Sequence, residues 1–342
     1  MHSRLDITNG KIELAHGAGG RASSQLITQL FKKHFDNALL AQNNDQAVFE
    51  QPVGRLAMSV DSFVVSPLFF PGGDIGKLAV FGTVNDLAMG GAAPLYLTVS
   101  FILEEGLPLA DLEKIVISMA AAAAQTGVKI IAGDTKVVER GKGDGVFITT
   151  TGLGRVPTGL NMSGDQARPG DVIILSGSLG DHGIAIMSQR ENLQFETQIE
   201  SDCASLFDLV AQMLKVTPGI RCMRDPSRGG LATTLNELAQ QSQVGMLIHE
   251  EALPIKDQVQ AACELLGLDP LYVANEGKLV CICAAGEAQL LLETMRKHVN
   301  GRDAAIIGEV IEDAHAFVQM KTQLGGYRLV DWLSGEQLPR IC

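Results

Sequence analysis

The sequence lacks the patterns that mark membrane, secreted and repeat proteins. No apolar run reaches the roughly 18 residues that a membrane span requires, and residues 1–10 are polar, without the apolar core of a signal peptide. No tandem repeat or low-complexity tract is present. We therefore expect globular domains in the cytoplasm, with no membrane partner.

Positive charge is also scarce. Lys and Arg together number 27 against 39 Asp and Glu, which gives a formal net charge of -12. A protein that binds a nucleic acid backbone needs a clustered basic surface, so we expect no nucleic acid partner. The acidic balance has a simpler meaning, which is solubility.

The six cysteines lack the spacing of a disulfide framework or a zinc ribbon, so reduced thiols are expected. Cys281 and Cys283 stand two residues apart in the apolar segment 278–283, where they would share one face of a strand. Buried structural thiols explain such a pair better than a metal site does.

Cys342 is different because it is the terminal residue. Gly335 and Pro339 interrupt the segment before it, so we expect a mobile or loosely docked tail rather than a helix that runs to the end. A prenylation signal would place the cysteine fourth from the end, which argues against lipidation. From the pattern alone, two interpretations stay open: a carrier thiol, or an incidental terminal residue.

Length and composition predict two ordered domains with an α/β (α+β) fold. A chain of 342 residues exceeds what one core usually supports, and 46% hydrophobic with 19% charged residues is typical of a globular protein. The predicted domains are residues 1–157 and 158–330, followed by a tail at 331–342. Predicted strands lie at 55–60, 95–103, 128–132, 145–153 and 171–175, predicted helices at 109–125, 203–214 and 231–241, and further elements at 279–283, 288–298 and 304–309.

Four aspartates interrupt or end apolar segments in the predicted first domain: Asp45, Asp61, Asp86 and Asp134. A carboxylate at the end of a buried strand needs compensation. Mg²⁺ provides it, because this cation binds carboxylate oxygens, retains waters and bridges nucleotide phosphates. Each aspartate alone is better explained as a turn or helix-cap residue, but the set within one domain favours a metal and phosphate site.

Glycine-rich segments that lead into helices support this interpretation. Residues 16–21, His-Gly-Ala-Gly-Gly-Arg, precede a predicted helix, so free amides and Arg21 could cover a phosphate. The segment is not a Walker A loop, because no Gly-Lys-Ser/Thr follows at the required spacing. Segments 71–77 and 225–230 have the same character, although each alone is also explained as a turn.

Two charged side chains are candidates for catalysis. Lys136 follows Asp134 by two residues and would reach the same phosphates, where it would neutralise charge that develops during phosphoryl transfer. Glu276 stands in a turn just before a buried strand and is a candidate general base. A solvated loop lysine and an ordinary turn glutamate stay open as explanations on the sequence alone.

Four segments together resemble the ATP-binding superfamily of aminoimidazole ribonucleotide (AIR) synthetase, selenophosphate synthetase and thiamine-monophosphate kinase: 45–47, 85–94, 133–136 and 225–230. The terminal Pro-Arg-Ile-Cys, residues 339–342, narrows the resemblance to the HypE family, the carbamoyl dehydratases of hydrogenase maturation. Segments 13–17, 69–73 and 274–278 also resemble that family, so the resemblance covers essentially the whole chain.

The resemblance implies a two-domain AIR synthetase-like fold with a flexible C-terminal tail. The N-terminal domain would bind ATP and Mg²⁺ and form a homodimer. A carbamoyl group would be received on Cys342 from the carbamoyltransferase HypF and dehydrated with ATP, from a thiocarboxamide to a thiocyanate. The cyano group would then pass to a HypC–HypD complex and become a cyanide ligand of the NiFe-hydrogenase iron.

The resemblance also implies a role for each site residue. Cys342 would carry the substrate, and Glu276 would take a proton. Lys136 would stabilise the oxygen or phosphoryl charge, and Arg340 would help to dock the tail. The implied Mg²⁺ ligands are Asp45, Asp61, Asp86 and Asp134, and Asn44 stands where much of the superfamily has a second acid. The implied nucleotide-binding residues are His16, Gly17, Gly19, Gly20, Asp61, Asn85, Asp86, Gly133, Asp134, Lys136 and Arg228.

Two alternative functions can be distinguished from this one by the sequence or by experiment. An enzyme acting on a free small molecule, such as a kinase or a selenophosphate synthetase, is one of them. Selenophosphate synthetases carry a reactive cysteine or selenocysteine near the N-terminal glycine-rich loop, and residues 16–21 contain neither. The other alternative is a non-catalytic thiol or metal carrier, which would need Cys342 but neither the aspartates nor Lys136.

Overall fold

The computed structural model describes residues 5–42, 44, 46–50, 52–191, 198–334 and 340–342. The N-terminal half is built on a four-stranded sheet, to which a two-stranded hairpin is added. Its strands are β1 (Arg55–Phe63), β2 (Phe69–Phe70), β3 (Gly73–Asp74), β4 (Ala93–Glu104), β5 (Lys129–Val138) and β6 (Val146–Val156). Its helices are α1 (Arg21–Leu26), α2 (Lys32–His34), α3 (Ile75–Met89) and α4 (Leu109–Thr126), with a π-helical segment at Ile27–Phe31 and 3₁₀ turns at Leu14–Gly17 and Leu40–Gln42.

The main sheet of this half has the strand order β1-β6-β4-β5, in which β4 and β5 are parallel and the other neighbours are antiparallel. Thr150 lies opposite Asp61 on one side and Val99 on the other. Val99 in turn lies opposite Gly133. Because neighbouring strands are about 4.8 Å apart, Asp61 and Gly133 stand at opposite edges of the sheet, about 14 Å from each other.

The C-terminal half is a seven-stranded sheet with helices packed on it. Its strands are β7 (Val172–Leu175), β8 (Ile220–Arg224), β9 (Gly245–His249), β10 (Val280–Cys283), β11 (Ala305–Ile311), β12 (Val318–Lys321) and β13 (Tyr327–Leu329). Its helices are α5 (Asp181–Arg190), α6 (Phe207–Val216), α7 (Gly230–Ser242), α8 (Asp257–Leu266) and α9 (Ala288–Lys297), with 3₁₀ turns at Glu250–Ala252, Pro270–Tyr272, Ala285–Glu287 and Val299–Gly301. The strand order is β13-β12-β9-β11-β7-β10-β8, and all neighbours are antiparallel except β9 and β12.

The predicted two-domain α/β (α+β) fold is confirmed. The predicted helix at 109–125 is α4, which ends where Gly127 takes a left-handed conformation with φ of 73°. The first sheet ends at Val156 and the second begins at Val172, so the predicted boundary at 157/158 falls in the connecting segment. Cys281 and Cys283 are fully buried in one apolar cluster, as predicted, and all six cysteines are free thiols.

Val330 fixes the chain after β13, because its side chain is buried and its N–H donates to the main-chain oxygen of Val318. The tail begins after this anchor. Among the described residues, no helix is both long and apolar enough to cross a membrane.

Asp74 caps α3, the helix that packs against β1, β6 and β4. Its Oδ1 accepts the main-chain N–H groups of Gly76 (2.7 Å) and Lys77 (3.1 Å), and its Oδ2 accepts the Ser118 hydroxyl (2.5 Å). We expect Asp74→Ala to lower the free energy of unfolding, measured in urea, by about 1–2 kcal/mol. Gln212→Ala, which removes an exposed hydrogen bond on α6, is the control and should change it by less than about 0.5 kcal/mol. Equal effects of the two substitutions would contradict the capping role.

Candidate active site

The described end of the chain, residues 340–342, is docked between the two halves. Val64 N–H donates to the main-chain oxygen of Cys342 (3.1 Å), and Ser66 N–H donates to that of Arg340 (3.2 Å). Ile341 is buried in the apolar cluster of the N-terminal half, with 3% of its surface exposed. The tail that the sequence predicts to be mobile or loosely docked therefore ends inside a cleft in this structure.

Two side chains of α5 hold the main chain of this segment. His182 places Nε2 2.9 Å from the carbonyl oxygen of Ile341. Arg190 donates from Nη2 to the carbonyl oxygens of Arg340 (2.9 Å) and Ser66 (2.6 Å). The guanidinium of Arg190 therefore joins the tail to the segment around Ser66, on which the tail lies.

Arg340 adds contacts of its own. Its Nε donates to the carbonyl oxygen of Val64 (3.1 Å), and its guanidinium is paired with Asp144. Its backbone has φ of 57°, in the left-handed region that residues with a side chain rarely occupy. The contacts offset this backbone cost and agree with the docking role that the resemblance implies.

The docked thiol of Cys342 is half-buried in an environment that disfavours its ionisation. Burial raises its pKa to about 12, and the charges of Glu276 and Asp61 act in the same direction, whereas Arg228 opposes them. The thiol is therefore neutral at physiological pH while it is docked, and it lies within electrostatic reach of the predicted general base.

Buried and half-buried carboxylates are clustered in this cleft. Burial raises the pKa of Glu276 well above its ordinary value, and Asp225 and Asp202 raise it further. Burial and the neighbouring Asp86 raise the pKa of Asp225 to about 7. Burial also raises the pKa values of Asp61 and Asp86, which repel each other. Acids that repel one another in this way retain protons or bind a cation.

Cations compensate only part of this charge. Arg228 lowers the pKa values of Asp61 and Asp86 against the effect of burial. Arg228 is one of the predicted nucleotide-binding residues. Its position beside Asp61 and Asp86 is consistent with that prediction, because these acids are predicted to bind the Mg²⁺ of the nucleotide. Ser59 donates its hydroxyl to Asp86 at 2.5 Å, which fixes the carboxylate on the side of β1 that faces α3.

The main chain at Glu276 is held by two neighbours that the sequence did not single out as site residues. Its N–H donates to Asp202 Oδ1 (3.0 Å), and Lys278 Nζ donates to the other oxygen of that carboxylate (3.1 Å). Burial would raise the pKa of Asp202, but Lys278 and the smaller effects of its other neighbours together outweigh burial, so the pKa lies below its ordinary value. Asp202 is therefore an ionised structural acid, which distinguishes it from Glu276.

The side chain of Asn85 lies between the two halves of the protein. Asn85 was expected to bind the nucleotide, but its side chain is buried and bonded to the main chain of the other half. Its amide donates to the carbonyl oxygens of Ala204 (3.0 Å) and Glu276 (3.1 Å), and its Oδ1 accepts the N–H of Leu206 (2.8 Å). Asn85 therefore positions Glu276 and joins the two halves.

A second concave region, with a volume of about 360 Å³, lies along β5. Its apolar walls include Phe31, Phe101 and Ile130. Its polar lining contains most of the predicted nucleotide-binding residues outside the acidic cleft, namely His16, Gly17, Gly19, Gly133, Asp134 and Lys136. An apolar cavity with a few polar groups at one side is typical of a small-molecule site.

The glycine-rich loop borders this cavity closely. A Cβ on Gly17 would lie 2.7 Å from the main-chain nitrogen of Val137, so the loop can rest on β5 only with glycine there. Gly19 has φ of 78°, a conformation that favours glycine. His16 accepts the N–H of Glu13 on Nδ1 (2.9 Å), so its proton is on Nε2. Gly20 precedes α1 and does not line the cavity.

The structure does not bring Asp61 and Asp134, two of the four predicted metal ligands, together within one copy of the chain. Asp134 stands at the β5 edge, whereas Asp61 stands at the β1 edge, because β6 and β4 lie between them. Within the described ranges, no three His, Cys, Asp or Glu side chains are close enough to hold a metal ion together. Asp45 lies outside the described residues and stays a prediction.

Two of the predicted ligands still fit a magnesium ion. The charge of Asp61 raises the pKa of Asp86, because the two carboxylates repel each other. A bound divalent cation would remove this repulsion. Mg²⁺ commonly takes one or two protein carboxylates and completes its coordination with phosphate oxygens and water. Asp134 instead pairs with Lys136, whose Nζ is 2.9 and 2.8 Å from its two oxygens, and this hydrogen bond lowers the pKa of Asp134.

Sequence reasoning missed four residues of the cleft. Asp225 is the first residue of the glycine-rich segment 225–230. Its position just before the start of a helix could have identified it as a site residue. His182 lies in a glycine-rich segment, 176–183, whose pattern is typical of a turn and gives no sign of a site residue. Arg190 and Asp202 had no local signal, because their partners are distant along the chain.

Comparisons with known proteins agree with this architecture. Residues 43–156 match the N-terminal domain of AIR synthase related proteins, and residues 168–321 match their C-terminal domain. Carbamoyl dehydratase HypE of Cupriavidus necator is 66% identical over 339 residues, which are 99% of this chain and 97% of that protein.

Two solved structures extend the comparison. A crystal structure of hydrogenase maturation protein HypE in complex with ATP is 52% identical, with a TM-score of 0.93, and covers 96% of this chain and 99% of that one. A crystal structure of a HypE–HypF complex contains a chain that is 50% identical, with a TM-score of 0.80, over 90% of this chain and 99% of that one. The chain belongs to the AIR synthase related proteins and, within them, to the HypE carbamoyl dehydratases of hydrogenase maturation.

Proposed function

We propose that this enzyme uses ATP to dehydrate a carbamoyl group carried on its own Cys342. The product would be a thiocyanate, which supplies the cyanide ligand of the NiFe-hydrogenase iron. The position of the docked terminal residue carries the proposal, because Glu276 and Asp61 act electrostatically on the Cys342 thiol. A group attached to that sulfur would enter the acidic cleft by the same docking that holds the free thiol.

The reaction balances as follows. The thiocarboxamide S–C(=O)–NH₂ and ATP give S–C≡N, ADP and phosphate. An amide oxygen is a poor leaving group, so its phosphorylation first converts it into one. The C–O bond then breaks with departure of phosphate, while the nitrogen loses both protons and the C≡N bond forms.

Glu276 is the group that would accept a nitrogen proton. Burial and the surrounding acids raise its pKa, and a carboxylate of raised pKa is the stronger base once it is ionised. Asp202 and Asn85 hold the main chain of this residue from either side. The base is thereby fixed in place, with 5% of its surface exposed.

ATP binding is supported by the crystal structure of a relative in complex with ATP. In this chain the cavity along β5 suits a nucleotide, because Phe31 and Phe101 offer apolar walls for a base. Lys136 and the amides around Gly17 and Gly19 would face the phosphates. When bound, Mg²⁺ on Asp61 and Asp86 would screen the charge of the transferring phosphoryl group.

We also propose that a second copy completes the site. On the face of β1 that points away from α3, Leu56, Met58 and Val60 are exposed, by 43, 72 and 62% of their surfaces. If the sheets of two copies paired edge to edge, they would form a closed barrel of eight strands. The barrel would cover this apolar face and leave no free strand edge. With the β1 edge beside the β5 edge of the partner subunit, Lys136 of the partner subunit would stand near Asp61.

The partners follow from the chemistry of the tail. A docked thiol with a pKa of about 12 is a poor nucleophile, so loading requires the tail to leave the cleft. HypF is the proposed carbamoyl donor, because a crystal structure of a complex between a relative and HypF is known. A HypC–HypD complex is the proposed acceptor, by resemblance. The six free thiols support the proposed cytoplasmic location.

A mass measurement tests the reaction. Carbamoylated protein given ATP and Mg²⁺ should lose the mass of one water at Cys342, read by intact-mass spectrometry. Glu276→Gln should accept the carbamoyl group and form the nitrile about 10²–10⁴-fold more slowly, the usual contribution of a general base. Cys342→Ala should bind ATP without being loaded, and exposed Glu264→Gln is the control. An unchanged adduct alongside continued ATP turnover would refute the proposed dehydration.

Mixing two inactive variants tests the shared site. Lys136→Ala and Glu276→Gln should each be inactive alone. Coexpressed, they should recover about a quarter of normal activity, because half of random twofold dimers are mixed and one of the two sites in each is intact. Met58→Glu in both chains should abolish the recovery, because it puts charge on the apolar sheet face. Failure of the mixture to gain activity in dimers of confirmed mass would mean that Lys136 acts within its own chain or not at all.

Docking of the free tail should weaken at high pH. The docked thiol has a pKa of about 12 and a free thiol about 8.5. Docking therefore retains its full stability below about 8.5 and loses roughly tenfold in equilibrium constant per pH unit above it, until the docked thiol ionises. Trypsin cleavage after Arg340 between pH 8 and 10 measures the undocked fraction, with Cys342→Ser as the control that does not ionise. A constant ratio between the two proteins across this range would contradict the raised pKa.

A further inference from the structure

His182 is a buried histidine whose two ring nitrogens both have partners. Its Nε2 is 2.9 Å from the carbonyl oxygen of Ile341, and its Nδ1 is 2.7 Å from Ser201 Oγ. A carbonyl can only accept, so Nε2 carries the proton and donates it. The Ser201 hydroxyl then donates to Nδ1, while its oxygen accepts the N–H of Cys203 (3.0 Å). This chain of hydrogen bonds selects one neutral tautomer.

The charges around the ring agree with that state. Burial lowers the pKa of His182, and the carboxylate of Asp202 opposes this effect only in part. The ring also packs edge-on against Phe70, with centroids 5.6 Å apart and planes at 85°. The imidazole is therefore fixed in orientation as well as in protonation, and its N–H points at a single acceptor.

That acceptor belongs to the peptide group that joins Ile341 to Cys342. Arg190 donates to the carbonyl oxygen of Arg340, one residue earlier, and Val64 N–H donates to the main-chain oxygen of Cys342 itself. The hydrogen bond from His182 therefore fixes the peptide plane from which the Cys342 side chain extends. A rotation of this plane would move Sγ relative to Glu276 even if the rest of the tail stayed docked.

We propose that His182 is a positioning residue for the reaction, which aims the group carried on Cys342 at Glu276 through the Ile341 carbonyl. The proposal rests on the proposed carrier role of Cys342. It separates two tasks of α5: Arg190 docks the tail, whereas His182 orients its last residue.

The test compares two substitutions of similar size. His182→Leu fills the space without a donor, whereas His182→Gln keeps an N–H donor for the Ile341 carbonyl. Loss of one such hydrogen bond should free the last residue from its fixed orientation and raise the accessible fraction of the Cys342 thiol about fivefold. The readout is the rate at which iodoacetamide alkylates Cys342, followed by peptide mass, because the other five cysteines are buried. His182→Gln should alkylate within about twofold of the natural protein.

Two controls separate positioning from a structural role. His298→Leu removes a histidine of the C-terminal half that is bonded to exposed Asp208, and it should leave the alkylation rate unchanged. Ser201→Ala frees the tautomer of His182 without changing the ring, so alkylation should rise by a smaller factor. It also provides the test if His182→Leu does not fold.

A single-turnover measurement completes the design. With carbamoylated protein, nitrile formation should slow in His182→Leu and recover in His182→Gln, at an unchanged KM for ATP. Alkylation and nitrile formation at natural rates in folded His182→Leu would overturn the proposal, as would failure of His182→Gln to recover either rate. Alkylation needs neither ATP nor a carbamoyl donor, so its result stands separately from the proposed dehydration.

Discussion

An excess of buried and half-buried acids over bases at the junction of the two halves governs the chemistry of this protein. Glu276 and Asp225 share a region of low dielectric with Asp61 and Asp86, and each carboxylate makes the ionisation of its neighbours more costly. The same field suppresses ionisation of the Cys342 thiol. A neutral acyl group on sulfur meets no such penalty, so the cleft accepts a loaded or protonated tail and disfavours a thiolate.

Much of the fold was predictable, because it depends on local patterns. The predicted strands at 55–60 and 95–103 correspond to β1 and β4, and the predicted helix at 109–125 corresponds to α4. Polar residues at the ends of apolar runs identified Asp61 and Asp86, and the turn before β10 identified Glu276. Membership in a dehydratase family then contradicts both alternatives that the sequence left open, the free small-molecule enzyme and the non-catalytic carrier.

The rest of the site depends on contacts between residues far apart in the sequence. Arg190 meets the Arg340 carbonyl 150 residues later, and His182 meets Ile341 159 residues later, so no local pattern could reveal the docking of the tail. The separation of Asp61 from Asp134 follows from strand order, which inserts β6 and β4 between β1 and β5. The residue types alone suggested that these aspartates form one site. Only the strand order shows that they lie at opposite edges of the sheet.

The anchor at Val330 has a consequence for kinetics. Cys342 is the twelfth residue after Val330, so the chain between them keeps any group on the sulfur close to the cleft. A tether of about this length holds its two ends at an effective concentration of about millimolar. For a substrate carried on Cys342, cleft occupancy is then independent of how dilute the enzyme is, and a cell could maintain the dehydration step with very few copies of the protein.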